Sequence, residues 1–246
     1  MLQDVSPAGV IPGSFPLTYE DCYGVVETTC WTDGHGLVFS LRGRTFRGCS
    51  FSLLDPDGTT MAELPDDLFP VGTYGVSGDG DLLAKFTLTV PLAVTGAGQS
   101  AGNLTLTFDL RDLRETKDYD YVDGCLELDG ATYRSTRGYV ENLLIDVQEQ
   151  LPDDVFLVCC LSCRWSHYTP CGNDDFGCLR CLRDWDDAST VSSKGDLFRA
   201  WSSDAWVQVQ ETWCCPRFSL LQPGQWAYKD WGQVYQKAGR VPPPEL

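Results

Sequence analysis

The sequence predicts an α+β protein: an antiparallel β-sheet or sandwich in the front half, one helix packed across it, and a cysteine-rich back half resembling a zinc ribbon or knuckle. Three observations lead there. Over residues 18–135, short runs alternate apolar and polar side chains between turn signals, the pattern of half-buried antiparallel strands. From Val140 the spacing becomes helical. Beyond it stand two Cys-x-x-Cys pairs, Cys160/Cys163 and Cys178/Cys181, with a Cys214/Cys215 doublet downstream, and paired cysteines on tight turns are how four thiolates surround a zinc ion.

The elements follow in order. Leu37, Phe39 and Leu41 alternate with Val38 and Ser40, and Cys49, Phe51 and Leu53 alternate with Ser50 and Ser52 before the turn Asp55–Gly58. Tyr23–Trp31 and Cys125–Tyr133 are weaker strand candidates. Phe86, Leu88, Val90 and Leu92 define one clear strand, and Leu104, Leu106, Phe108 and Leu110 another. The small, flexible run between them predicts a hairpin with a long loop. Pro91 has no N–H for a ladder, which predicts an edge or a bulge. In all, six to eight strands are expected.

Val140, Leu143, Leu144, Val147 and Leu151 share one helical face, and Pro152 stops the helix. Residues 154–160 read as a strand delivering Cys160 and Cys163, residues 195–201 as a short helix, and residues 205–213 as a strand leading to Cys214/Cys215.

With 246 residues and 43% hydrophobic side chains the chain can bury a real core. We divide it into an acidic β-rich region, 1–135, and a helix plus zinc-binding, tryptophan-rich region, 136–246, within one continuous globular unit. The net charge of −17 is concentrated in front: residues 1–150 hold 23 Asp/Glu against 9 Lys/Arg, residues 151–246 hold 12 against 9. Such a field repels phosphate backbones and argues against nucleic-acid binding. Of eight tryptophans, seven follow Cys163; large rings around a metal-stapled region build a core, and any left exposed mark an interface.

The N-terminal run has neither a basic start nor an apolar stretch, and nothing in the sequence is long enough to span a bilayer. A cytoplasmic protein is expected. In a reducing compartment twelve cysteines argue for metal ligands over disulfides.

Spacing alone makes Cys160, Cys163, Cys178 and Cys181 the simplest four-thiolate set. Cys159/Cys160 and Cys214/Cys215 can each offer one member if they lie on strands, where neighbours point to opposite faces. His167 is an alternative ligand; with fewer thiolates it would leave an open position for a zinc-bound water, with Asp174 or Asp175 nearby as a carboxylate. Other chemistries fail. No His-x-Glu motif supports a deaminase, Gly96–Ala101 joins strands instead of opening a helix, the Asp-Gly turns lack the ligands of a calcium loop, and no βαβ context supports a thioredoxin-like site.

The run CLSCRWSHYTPCGNDDFGCLRCLRD, followed by QETWCCPRF, resembles an uncharacterised, largely actinobacterial family of unknown function. Its pattern is Cys-x-x-Cys, Ser-x-Tyr-x-Pro, Phe-Gly-x-Leu-x-Cys and Gln-Glu-Thr-x-x-Cys-Pro. The likeness covers about 60 residues of the back half closely, and the front half by its strand-rich style. Carried over, it implies Cys160, Cys163, Cys181 and Cys215 as zinc ligands, with Cys178, Cys214 and His167 as alternatives. Ser166, Tyr168, Pro170, Phe176 and Gly177 would shape the loop between them.

The expected function is a zinc-stabilised cytosolic protein-binding module. A specific version is an immunity-type inhibitor of a basic partner, with Asp118, Asp120 and Asp123 in the contact surface. The alternative is a zinc-dependent hydrolase with an open site near His167.

Overall fold

The computed structural model describes residues 12–72, 80–96, 100–111, 122–136, 138–170, 176–203 and 205–242. The front half contains β1 (Gly13–Asp21), β2 (Gly24–Thr32), β3 (Leu37–Leu41), β4 (Arg44–Ser50), β5 (Leu53–Pro56), β6 (Val71–Gly72), β7 (Asp81–Leu82), β8 (Lys85–Thr95), β9 (Ser100–Asp109), β10 (Val122–Leu128) and β11 (Ala131–Ser135). The back half contains α1 (Val140–Gln150), β12 (Phe156–Val158), β13 (Ser166–His167), β14 (Leu179–Cys181), α2 (Lys194–Ser202), β15 (Val207–Val209) and α3 (Gly232–Ala238). The class is α+β, mostly antiparallel sheet with few helices. Among the described residues no helix is long and apolar enough to cross a membrane.

A single ten-stranded sheet, not a sandwich, dominates. Its order is β11-β10-β9-β8-β1-β2-β3-β4-β5, with β12 also paired to β8; β6 and β7 form a separate small ribbon. Register aligns the alternation across strands. Leu17, Leu88, Leu106 and Gly124 lie in one row, and Tyr19, Phe86, Phe108 and Val122 in the next, so one face is continuously apolar. The opposite face carries Thr18, Thr87, Thr107 and Asp123 in a row between them.

Several sequence expectations change. Pro91 does not mark an edge, because β8 is central: its first half pairs with β1 through Leu88, and its second half pairs with β12 from Ala93. Pro91 sits in the gap where β8 exchanges neighbours, with Asn103 opposite on β9, and there no ladder requires its N–H on the exchanging side. The loop expected between the two long strands shrinks because β8 and β9 extend through Thr95 and from Ser100. Residues 49–53 are not one strand: the chain turns at Phe51–Ser52 and a register shift intervenes between Gly48 and Ser50, leaving Phe51 buried and Leu53 exposed. Cys125–Tyr133 is a hairpin, its turn made by Asp129 and Gly130, both at positive φ, the requirement of a two-residue hairpin loop.

The back half covers the apolar face, and one core contains residues of both halves. Phe51 stacks on Phe86 at 4.6 Å and meets Phe108 at 4.9 Å, and Phe108 meets Phe176 from the back half at 5.4 Å. Each such ring contributes about 1.5–3 kcal/mol by leaving water. The predicted helix is α1, whose Leu143 packs where Gly124 has no side chain; a Cβ there would stand 2.5 Å from Leu143 Cδ1. Buried Gln148 of α1 accepts from Leu157 N–H at 2.8 Å and donates to the Val155 carbonyl at 2.8 Å, aligning β12. The helix expected at 195–201 is α2, started by Ser193, whose side chain accepts from Asp196 N–H. Sequence reading missed α3. Of the strand expected at 205–213 only β15 forms, in a three-stranded sheet of order β13-β14-β15.

Gly177 is a tight join between the halves. Its φ is +80°, and a Cβ would lie 2.1 Å from the Cys49 carbonyl oxygen. Gly177→Ala should therefore cost about 3 kcal/mol or more. Gly130→Ala, at φ +79° but with nothing within 4 Å, should cost only about 1–2 kcal/mol. Urea unfolding of both variants measures the difference, and equal losses would refute the close-approach argument.

Candidate metal centre

After β12 the chain turns sharply instead of continuing as a strand. Cys159 is extended and Cys160–Ser162 form one 3₁₀ turn, closed by Cys163 N–H donating to the Cys160 carbonyl at 3.1 Å. Ser162 Oγ accepts from Cys159 N–H at 3.2 Å and donates to the Leu157 carbonyl at 2.7 Å. The strand argument for choosing between Cys159 and Cys160 therefore does not apply; the turn itself separates them.

Backbone bonds then gather three distant segments. Cys160 N–H donates to the Trp213 carbonyl at 2.5 Å and Leu161 N–H to that of Glu211 at 3.0 Å, which brings in Cys214/Cys215. Ser166 pairs with Cys181 across β13 and β14. Ser166 Oγ donates to the Cys160 carbonyl, and Lys229 Nζ donates to the Cys163 carbonyl at 2.5 Å and to Ser166 Oγ at 2.8 Å.

The thiols register one another's charge. Burial holds the Cys160 thiol well above its ordinary range, and Cys163, Cys181, Cys159 and Cys215 each push it further. Burial raises Cys163 to about 11 against the opposing pull of Lys229. Cys181 is raised by burial and by Cys215, with Arg183 opposing. Arg183 Nη1 donates to Cys215 Sγ at 2.7 Å. Cys160 thus feels the charges of Cys163, Cys181, Cys159 and Cys215, and Cys163 and Cys181 feel the cations Lys229 and Arg183. A four-thiolate zinc centre carries net negative charge, and this donor set with these cations matches its chemistry. As the side chains stand, however, no group of three or more His, Cys, Asp or Glu among the described residues is arranged to hold a metal ion.

Two of the alternative ligands point elsewhere. Cys178 lies three residues before Cys181 along an extended segment, hence on the other side of it, where it acts on Arg180 together with Cys49. Cys214 packs with Ala93 and Val158, yet beside burial the thiols of Cys159, Cys215 and Cys163 also raise it, so it stays near the cluster. His167 pairs with Arg180 in the β13–β14 register and so projects to the face opposite Cys181. Its Nδ1 accepts from Tyr228 N–H at 3.2 Å, its ring stacks on Trp226 with centroids 5.8 Å apart, and burial lowers its pKa to about 3. Asp123 is exposed on the outer face of the sheet; Asp118, Asp120, Asp174 and Asp175 lie outside the described residues.

Sequence reading missed three buried ionisable side chains near the thiols. Burial lifts Glu141 to about 7 and Glu211 to about 8, and lowers Lys229 to about 8. Glu211 accepts from Gly177 N–H at 2.7 Å and from Tyr168 OH at 3.4 Å, tying the loop before β14 to the loop after β15. Its sequence signals are its place in the Gln-Glu-Thr motif and a charge closing an apolar alternation.

Glu211 gives a pH prediction. Its native carboxyl stays protonated up to about pH 8, whereas in the unfolded chain it ionises near pH 4.3. Between these values the native state binds more protons, so this group makes stability fall as pH rises. Glu211→Gln should therefore lose less stability than the parent when urea unfolding is compared at about pH 5 and about pH 8. Identical pH slopes would show that Glu211 is ionised in the native state.

A model of a family of unknown function, DUF6304, matches residues 13–166. It covers the sheet, α1 and the first cysteine pair, and ends before the motifs that follow Ser166. No curated protein and no solved structure matches the chain.

Proposed function

Because the chain belongs to the DUF6304 family, to which no function is attached, we propose a function from its own side chains: a zinc-stabilised cytosolic protein-binding module. Exposed aromatic surface on the back half carries the binding part of this reading. Phe198 and Trp201 of α2 remain 45% and 38% exposed and lie in ring contact, and Val207 of β15 is 45% exposed. Trp206 is fixed beside them by Nε1 donating to the Trp201 carbonyl at 3.2 Å. Aromatic anchors in a rim of polar residues are the usual centre of a protein contact.

The zinc part rests on Cys160, Cys163, Cys181 and Cys215, with a knuckle-like turn presenting the first pair. The described cysteines are all free thiols, as a reducing compartment requires. The partner of such a module is a basic protein, the immunity-type inhibitor being one version: the net charge is −17, and Asp123 stands exposed on the outer sheet face.

Purified protein should carry about one zinc per chain, measurable by native mass spectrometry. Binding at structural zinc sites is worth roughly 10–16 kcal/mol, so Cys160→Ser and Cys181→Ser should each lose the metal and yield insoluble or partly unfolded protein. Metal-free native protein that melts cooperatively would overturn the zinc reading.

Association with a basic partner should slow steeply as salt screens the field. Charge reversal at Asp118, Asp120 and Asp123 should slow it further at low salt without changing the melting temperature, whereas Trp201→Ala should act on dissociation. A partner whose on-rate ignores both salt and the reversals would leave the acidic face a solubility device.

A further inference from the structure

In a chain with 35 acidic and 18 basic side chains, a guanidinium without a carboxylate is unexpected. Two of them occur on the back half, and both lie over indoles. Arg164 stacks on Trp165 at 4.4 Å and Arg180 on Trp206 at 4.5 Å. Among the described residues neither forms an ion pair, and nor do Arg44 and Arg134 of the front half, while Arg42, Arg47, Arg111, Arg183, Arg199, Arg217 and Arg240 all do.

Arg164 and Trp165 border a cavity of about 240 Å³, whose other walls include His167, Ser189, Gln225 and Trp226. The site is built on fixed parts. Arg164 N–H donates to the Ser219 carbonyl at 2.8 Å, and Trp226 is held between His167 and Tyr228 in a stack of rings tilted by 26° and 24°. Stacking occupies the face of a guanidinium and leaves its N–H edge in plane, the geometry for a bidentate anion. Among the described residues no Asp or Glu lines the cavity, and Asp196, which hydrogen-bonds Ser192 of its wall, is also engaged by Ser193 and Arg199.

We propose that this cavity binds a small planar organic anion, with Arg164 holding the charged head and Trp165 and Trp226 bordering the ring. Its volume lies below the roughly 300–1,000 Å³ of pockets for drug-sized ligands, so the occupant is one ring with its head group. Trp165 and Trp226 line the cavity, and Arg164 supplies a charge that forms no ion pair among the described residues. Among those residues neither a cysteine nor a member of α2 lines the cavity, and the proposal does not depend on zinc or on a protein partner.

Titration of the full chain with benzoate, followed by tryptophan fluorescence and ligand-observed NMR, tests the proposal. Benzyl alcohol controls for the ring and acetate for the charge; phenyl phosphate distinguishes a phosphate head from a carboxylate. One of the two aromatic anions should saturate the protein and bind at least about tenfold tighter than either control, the worth of one charge-assisted hydrogen bond. Arg164→Gln should remove that preference. Ser189→Trp, which fills the cavity and leaves Arg164 and the thiols in place, should abolish binding with unchanged melting, and it decides the matter if the Arg164 variant fails to fold. Absence of saturation by both anions, affinity equal to the controls, or binding unaffected by Ser189→Trp would overturn the proposal.

Discussion

Ten strands joined edge to edge present one continuous apolar face, and burying that face under residues 138–242 is the constraint on which the remaining structure depends. The helices alone are too short to cover so wide a sheet. The rest of the cover is irregular chain, which can be buried only if its backbone groups are satisfied. This explains why so many bonds near the thiols run between backbone segments: Cys160 to Trp213, Leu161 to Glu211, Arg164 to Ser219, Tyr168 to Tyr228. The knuckle turn is a knot of backbone pairing first.

Buried charge follows from the same packing. Glu211 and Lys229 sit where irregular segments cross, each bonded to one backbone group and one hydroxyl: Gly177 N–H and Tyr168 for Glu211, the Cys163 carbonyl and Ser166 for Lys229. Isolated in an apolar interior such groups would be costly. Here they join loops that no ladder connects, and their displaced pKa values record the water they have lost.

Period-two alternation located β3, β8 and β9, and helical spacing located α1, because in those segments one neighbouring layer decides which side chains are buried. Where two constraints act on one segment the pattern misled. Residues 49–53 alternate like a strand, yet Gly48 lets the chain fold back so closely that a Cβ would stand 1.9 Å from the Leu53 carbonyl oxygen. Pro91 reads as an edge residue because the exchange of partners along β8 is a tertiary fact with no local signature. Spacing identified the cysteine pairs but carried no sign of the loop closure through Trp213 and Glu211, which brings the segment of Cys214 and Cys215 against the turn at Cys160. The Arg164 cavity was invisible in sequence for a simpler reason: whether an arginine is paired is a tertiary fact with no local signature.

The two ends of the large sheet are short: β5 has four residues and ends in Pro56, and β11 has five, with Arg134 on its outer face. Unpaired strand edges are where other chains add themselves, and brevity, proline and charge are what prevent it. A sheet closed at its margins in this way does not grow by recruiting a foreign strand. Whatever associates with this protein meets side chains rather than backbone, so its specificity is written in the chemistry of its surfaces, where evolution can vary it without disturbing the ladder beneath.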